Sequence, residues 1–202
     1  KFMLLADLTW PDVKALDFSK LIVVLPTGSI EQHGPHLPVS VDTDIARAIG
    51  ERIEKRSPDR VLLLPTLWPG LSTHHMHFPG TIDVPQADYI RLITDIGRSI
   101  AAMGGQKCFI LNGHGGNDTP LRAALRELKT DVPQTRFVFA SYWSLASAAI
   151  KAVRTSGVGG LGHACEMETS IMLHLFPDRV KMDRAVRGGP TFTDINRRAD
   201  MQ

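Results

Sequence analysis

Short apolar runs alternate along the chain with longer segments in which apolar residues recur every three or four positions. Four runs, Leu21–Pro26, Val61–Pro65, Lys107–Leu111 and Arg136–Ala140, are rich in Val, Ile, Leu and Phe without polar alternation, which predicts strands covered by helices on both faces. Between them, Thr43–Arg56 repeats Ile45, Ala48, Ile49 and Ile53 at helical spacing. Gln86–Met103 repeats Ile90, Ile93, Ile96 and Ile100 before Gly104 and Gly105 supply a stop. Asp118–Lys129 is a third predicted helix, followed by Trp143–Val153 and by Ala164–Phe176, which Pro177 ends. Strand and helix in alternation predict βαβ units around a parallel sheet, an α/β fold in a single domain over residues 1–202.

Composition narrows the function more than the fold. At 202 residues with 43% apolar content, the chain is long and apolar enough for one packed core. A net charge of +2 gives no field of the kind that gathers nucleic acid or an anionic membrane, so neither partner is expected. No apolar run approaches the roughly 20 residues that span a bilayer. Cys108 and Cys165 lie far apart and form neither a disulfide framework nor a CxxC metal site, which fits a reducing cytoplasm.

The histidines are not scattered. In an open parallel sheet ligands collect beyond the carboxyl ends of the strands. The segment after the first strand, Thr27–Asp42, carries Glu31, His33, His36 and Asp42. Leu67–Asp83, after the second, carries His74, His75 and His77, and Asn112–Asn117, after the third, carries His114. With His163 just ahead of the last helix, seven of the eight histidines fall in these places, leaving His174 elsewhere.

Several of these residues have chemical and structural readings side by side. Glu31 and His33 leave a strand in extended chain, so their side chains point the same way and can share one site. Asp42 either ligates a metal or caps the following helix. His114, between Gly113 and Gly115, stands where the backbone can turn tightly and approach a ligand; a phosphate cradle competes, but the loop lacks the P-loop Lys and the GxGxxG spacing. Glu168 shares a helical face with Ile171, Met172 and Leu175, so its carboxylate heads a stripe that faces the core. A cation, a hydrogen-bond network, protonation or an arginine would satisfy it. His163, preceded by Gly159, Gly160 and Gly162, is placed for proton transfer. Trp143 is a pocket wall or core, and His74, His75 and His77 line a pocket, meet another subunit or are solvated. Carboxylates and imidazoles without thiolates suit Zn²⁺, with Mn²⁺ or Fe²⁺ as alternatives. A bridging Asp42 makes the set large enough for two ions, which is hydrolytic machinery.

The run Thr27-Gly28-Ser29-Ile30-Glu31-Gln32-His33-Gly34-Pro35-His36-Leu37-Pro38, with Asp42 nine residues after His33, closely resembles the creatininase (creatinine amidohydrolase) family. Phe78-Pro79-Gly80-Thr81, Asn112-Gly113-His114-Gly115-Gly116-Asn117, Ser141-Tyr142-Trp143 and His163 followed by Glu168-Thr169-Ser170 match in family order. The resemblance implies a three-layer α/β/α fold with a mostly parallel sheet, two divalent metal ions, hydrolysis of a C–N bond in a small amide or cyclic amide, and a homo-oligomer, a hexamer. It places Glu31, Asp42 and His114 on one ion and His33 and the bridging Asp42 on the other. In creatininase a glutamate two residues after the histidine matching His114 completes the second site; here that position is Gly116, and Glu168 is the candidate replacement.

The function expected is therefore a metal-dependent amidohydrolase in which a hydroxide activated by two metals attacks the amide. His163 and Glu168 are the candidate catalytic groups, and Trp143, Gly115, Gly116 and His75 the candidate substrate contacts. Two other readings remain open at this stage. One is a non-catalytic metal-binding relative that acts as a sensor or assembly subunit, and the other is a metal-free nucleotide-binding module.

Overall fold

The computed structural model describes residues 3–157 and 160–186. Gly159 and the polar stretch Thr193–Gln202 lie outside the described residues. Among the described residues the sheet has four parallel strands, β1 (Ile22–Thr27), β2 (Val61–Leu63), β3 (Lys107–Asn112) and β4 (Arg136–Ser141), in the spatial order β2-β1-β3-β4. Its helices are α1 (Trp10–Lys14), α2 (Val41–Arg56), α3 (Gln86–Ala102), α4 (Asp118–Asp131), α5 (Tyr142–Leu145), α6 (Ser147–Val153) and α7 (Glu166–Leu175).

Alternation along the strands sorts the core into two faces. On one face Val23, Leu25, Leu62 and Ile110 pack against Tyr89, Ile93 and Ile100 of α3 and Leu121 and Ala124 of α4. On the other face Val24, Val61, Leu63 and Leu111 pack against Val41 and Ile45 of α2 and Met172 of α7. Two helical layers on one sheet are the three-layer α/β/α arrangement expected, and parallel strands need such cover because their backbone ladders lie between two apolar faces. Gly104, at φ +102, ends α3 in the left-handed region as its sequence position predicted.

Four details depart from the sequence expectations. β4 is an edge strand with Val138 half exposed, so it is not covered on both faces. The helix predicted over Trp143–Val153 breaks at Ala146, whose ψ of 11 ends α5 before α6 begins. The helix predicted from Thr43 starts two residues earlier, at Val41, which puts Asp42 inside the first turn. The short α1 was not predicted, although Thr9, Pro11 and Asp12 carry its signal: Thr9 N–H donates to Asp12 Oδ2 at 3.0 Å.

Helix α2 runs so close to the strand ends that glycine is required there. A Cβ on Gly28 would lie 2.5 Å from Thr43 Cα, and one on Gly113 would lie 2.5 Å from the Asp42 carbonyl oxygen. These contacts are with backbone, which cannot swing aside as a flexible side chain can. Gly28→Ala and Gly113→Ala should each destabilise the protein by about 1–3 kcal/mol, whereas Gly157→Ala, whose Cβ meets nothing within 4 Å among the described residues, should be close to neutral. Chemical denaturation of the three variants checks this ordering.

Candidate metal centre

Past the carboxyl ends of β1 and β3, five ionisable side chains converge: Glu31, His33, Asp42, His114 and Glu168, all buried. Extended chain after β1 carries Glu31 and His33 to the same side, the first turn of α2 supplies Asp42, the turn after β3 supplies His114, and the first turn of α7 supplies Glu168. Carboxylates in first turns sit at the positive ends of their helices, which favours their charged form.

Asp42 is the hinge of the arrangement. Its Oδ1 lies 3.0 Å from His33 Nε2, and its Oδ2 lies 2.9 Å from His114 Nδ1 while accepting a hydrogen bond from Ser29 Oγ at 2.8 Å. Its side chain makes no cap to α2, so of the two readings open in the sequence the capping one is overturned by these three partners. Glu31 Oε2 lies 3.4 Å from His114 Nε2 and Glu168 Oε1 lies 3.9 Å from His33 Nε2. Two sets sharing Asp42, namely Glu31–Asp42–His114 and His33–Asp42–Glu168, each have their donor atoms within 4.8 Å of one another.

Both imidazoles are held by their remote nitrogens. His33 Nδ1 donates to the Glu31 carbonyl oxygen at 3.1 Å, and His114 Nε2 donates to the Leu71 carbonyl oxygen at 2.8 Å. A backbone carbonyl on one ring nitrogen fixes the tautomer and aims the other nitrogen, the arrangement usual for metal-ligating histidines. Glu31 Oε2 is buried with no hydrogen-bond partner among the described residues. An orphaned carboxylate oxygen among aimed imidazoles, with no thiolate present, fits a divalent cation.

Burial opposes a charge on His33, but the Asp42 carboxylate outweighs it and raises the imidazole to about 10; burial is likewise outweighed by Asp42 at His114, raised to about 9. Burial also opposes ionisation of Asp42, and the two imidazoles overcome it and hold the carboxyl well below its ordinary range. Burial pushes Glu31 up, and it carries Glu168 to about 7 against the pull of His33. Glu168 meets His33, and its Oε2 also accepts from the Cys165 N–H at 3.2 Å; among the described residues it forms no pair with an arginine.

A cavity of about 360 Å³ opens beside the cluster, lined on this side by Glu31, His74, His75, His114, His163 and Glu168. Trp143, Gly115 and Gly116 also line it. His163 Nδ1 lies 3.4 Å from Glu31 Oε1, its ring centroid 4.2 Å from that of His33, and its Nε2 contacts the Gln32 carbonyl oxygen. Burial and the neighbouring His33 cation lower His163 to about 4 and, with His163 and His74, burial lowers His75 to about 3, so both rings are neutral at pH 7. His77 is exposed and does not line the cavity. A Cβ on Gly116 would lie 2.1 Å from the Leu71 carbonyl oxygen and 2.5 Å from His114 Nε2, so a carboxylate cannot stand at this position without moving both.

Sequence reasoning gave no role to several residues that build the site. Ser29 orients Asp42. Asn117 ties the loops together, its side chain accepting from Leu71 N–H and donating to the Gly28 carbonyl oxygen. Gln32 places its amide nitrogen 3.0 Å from His75 Nδ1 and 2.9 Å from His163 Nε2. Their signal was position alone: each lies within three residues of a histidine or carboxylate in a loop at the carboxyl end of a strand.

A family model described as "Creatininase: Creatinine amidohydrolase" matches residues 6–202. A mycofactocin precursor peptide peptidase from Mycobacterium ulcerans (strain Agy99) is 35% identical over 187 residues, which cover 89% of this chain and 64% of that protein. A creatinine amidohydrolase from Pseudomonas putida is 31% identical over 205 residues, covering 94% of this chain and 78% of that protein. The chain thus spans less than two thirds of the length of the first of these relatives. A crystal structure of creatinine amidohydrolase (creatininase) aligns with a TM-score of 0.85 at 30% identity, covering 96% of this chain and 80% of that one. Creatininase structures titled "Mn" and "Zn-Zn type" align with TM-scores of 0.84 and 0.83 at 30% identity, over 96% of this chain and 81% of each of theirs. The fold is the one shared by these creatininase structures, with acidic and imidazole side chains gathered at the mouth of a parallel sheet. The chain belongs to the creatininase family. No helix among the described residues is long and apolar enough to cross a membrane.

The raised imidazoles set the pH response of the metal-free protein. A histidine with an ordinary value of 6.5 unfolded and about 9 to 10 folded contributes stability that is complete below pH 6.5 and is lost as pH rises through the folded value. Glu168, at about 7 folded, adds a loss between pH 4.5 and 7. In excess chelator, the thermal midpoint should fall steadily from pH 6.5 to 10; a midpoint that rises across this window would contradict the protonated-imidazole cluster.

Proposed function

We propose that this chain is a metal-dependent amidohydrolase that hydrolyses the C–N bond of a small amide or cyclic amide. One observation carries the reading: the two oxygens of buried Asp42 face two different imidazoles, and each imidazole is aimed by a backbone carbonyl on its far nitrogen. On this reading Glu31, Asp42 and His114 hold one divalent cation, and His33, Asp42 and Glu168 hold the second, with Glu168 taking the place left by Gly116. Zn²⁺ is the first candidate, with Mn²⁺ or Fe²⁺ as alternatives. Bound there, divalent cations would lower the pKa of water and polarise an amide carbonyl.

The remaining steps belong to the chain itself. His163 sits at the cavity, neutral at pH 7 and 3.4 Å from Glu31 Oε1, so it can accept a proton from water and deliver it to the departing nitrogen. Glu168 joins the cavity wall to the cluster and orients His33. Trp143, His75 and the side-chain-free Gly115 and Gly116 shape the space the substrate occupies. The reading takes residues 1–202 as one hydrolase domain, working in the cytoplasm as a homo-oligomer. The peptidase and creatinine-hydrolysing relatives both have names that denote amide-bond hydrolysis.

His33→Ala and Asp42→Ala should lose bound metal and hydrolysis together, measured by elemental analysis and by turnover on a panel of lactams, formamides and small amides. His163→Ala should keep its metal and lose about 10²- to 10⁴-fold in kcat. Full turnover by a metal-free Asp42→Ala protein would contradict the scheme. Metal binding without turnover in the unaltered protein, on every amide of the panel, would favour the sensor or assembly role.

A further inference from the structure

The cavity beside the cluster is lined by two chemically different sets of side chains. Besides the carboxylates and imidazoles it has the apolar Trp143, Ile150, Leu161 and Met167, with the hydroxyl of Ser147 among them. Among the described residues no lysine or arginine lines it. A substrate carboxylate or phosphate reaching those four side chains would lose its hydration without gaining a counter-charge, and an ammonium would find no carboxylate among them. An alkyl or aryl group gains there, by about fourfold in affinity for each methylene removed from water. At about 360 Å³ the space suits a small molecule.

A second cavity of about 330 Å³ continues the apolar surface. It is lined by Ile49, Ile53, Leu145 and Ile171 among others, and it shares Ile150 and Met167 with the first. These two side chains are therefore the partition between the spaces. Met167 is unbranched, flexible and only partly buried.

We infer that the substrate is a neutral amide with an apolar substituent of several carbons beside the scissile bond, seated against Trp143, Ile150, Leu161 and Met167. A compact polar ring such as creatinine would leave this wall without a partner. The inference rests on the amidohydrolase reading and narrows its substrate class.

The test uses the metal-replete protein and the unbranched primary amides from acetamide to hexanamide, with creatinine as the compact polar comparison. kcat/KM should climb by about fourfold per added methylene until the space is filled, and the best amide should exceed creatinine at least tenfold. A flat or falling series, or a preference for creatinine, would overturn the inference and leave the amidohydrolase reading standing. If no amide is turned over, that reading fails instead. Calorimetric affinity for the same series then decides the pocket: growth with chain length upholds the apolar seat, and indifference to length overturns it. Met167→Ala should join the two cavities and move the preferred chain length upward by two or more carbons. An unmoved optimum would contradict the partition.

Discussion

Three buried carboxylates, with Asp42 in reach of each of the other two, are the constraint around which this structure is arranged. Glu31, Asp42 and Glu168 each give up hydration on burial, at an effective cost of several kcal/mol per charge, and lying together they repel. Positive charge has to be supplied locally. In the polypeptide alone it comes from protons on His33 and His114, which is why both imidazoles are raised against their own burial. A divalent cation in place of those protons would satisfy the same carboxylates more fully, including the Glu31 oxygen that accepts no hydrogen bond among the described residues. Proton and metal thus compete for one set of atoms.

The fold meets this constraint with rigid parts. The parallel sheet ends its two central strands side by side, and the loops that leave them carry Glu31, His33 and His114 to the same mouth. Two helix N-termini bring Asp42 and Glu168 to that mouth with their dipoles aligned to favour anions. Gly28 and Gly113 let α2 approach closely enough for Asp42 to stand between the imidazoles. The side chains of Ser29 and Asn117 and the carbonyl of Leu71 then remove the remaining freedom. Preorganisation of this kind reduces the ordering that a ligand would otherwise have to impose.

Much of this was legible in the sequence because it depends on local pattern. The four strands and three main helices follow from apolar periodicity, and the histidine-bearing loops follow from where a parallel sheet exposes its strand ends. Glu168 could be read from its place at the head of an apolar helical stripe. Distant contacts left less trace. That α2 begins at Val41, and so turns Asp42 inward, depends on the close packing of Gly28 and Gly113 against its first turn. The break at Ala146 has no Pro or Gly to announce it. The parts played by Ser29, Gln32 and Asn117 arise from partners between 13 and 131 positions away, which periodicity does not encode. The incomplete burial of β4 likewise left no trace in its own apolar run, and edge position alone does not set it, since β2 at the other edge is buried throughout.

The sharing of Asp42 between two cation sites is the claim on which the functional account stands, and anomalous diffraction from crystals grown with Zn²⁺ or Mn²⁺ tests it directly. The account predicts two peaks about 3.5–4 Å apart, one on each side of the Asp42 carboxylate, with Glu168 and His33 at one and Glu31 and His114 at the other. A map with no peak at Asp42, or with Glu168 turned away from a metal held by the other residues, would contradict it.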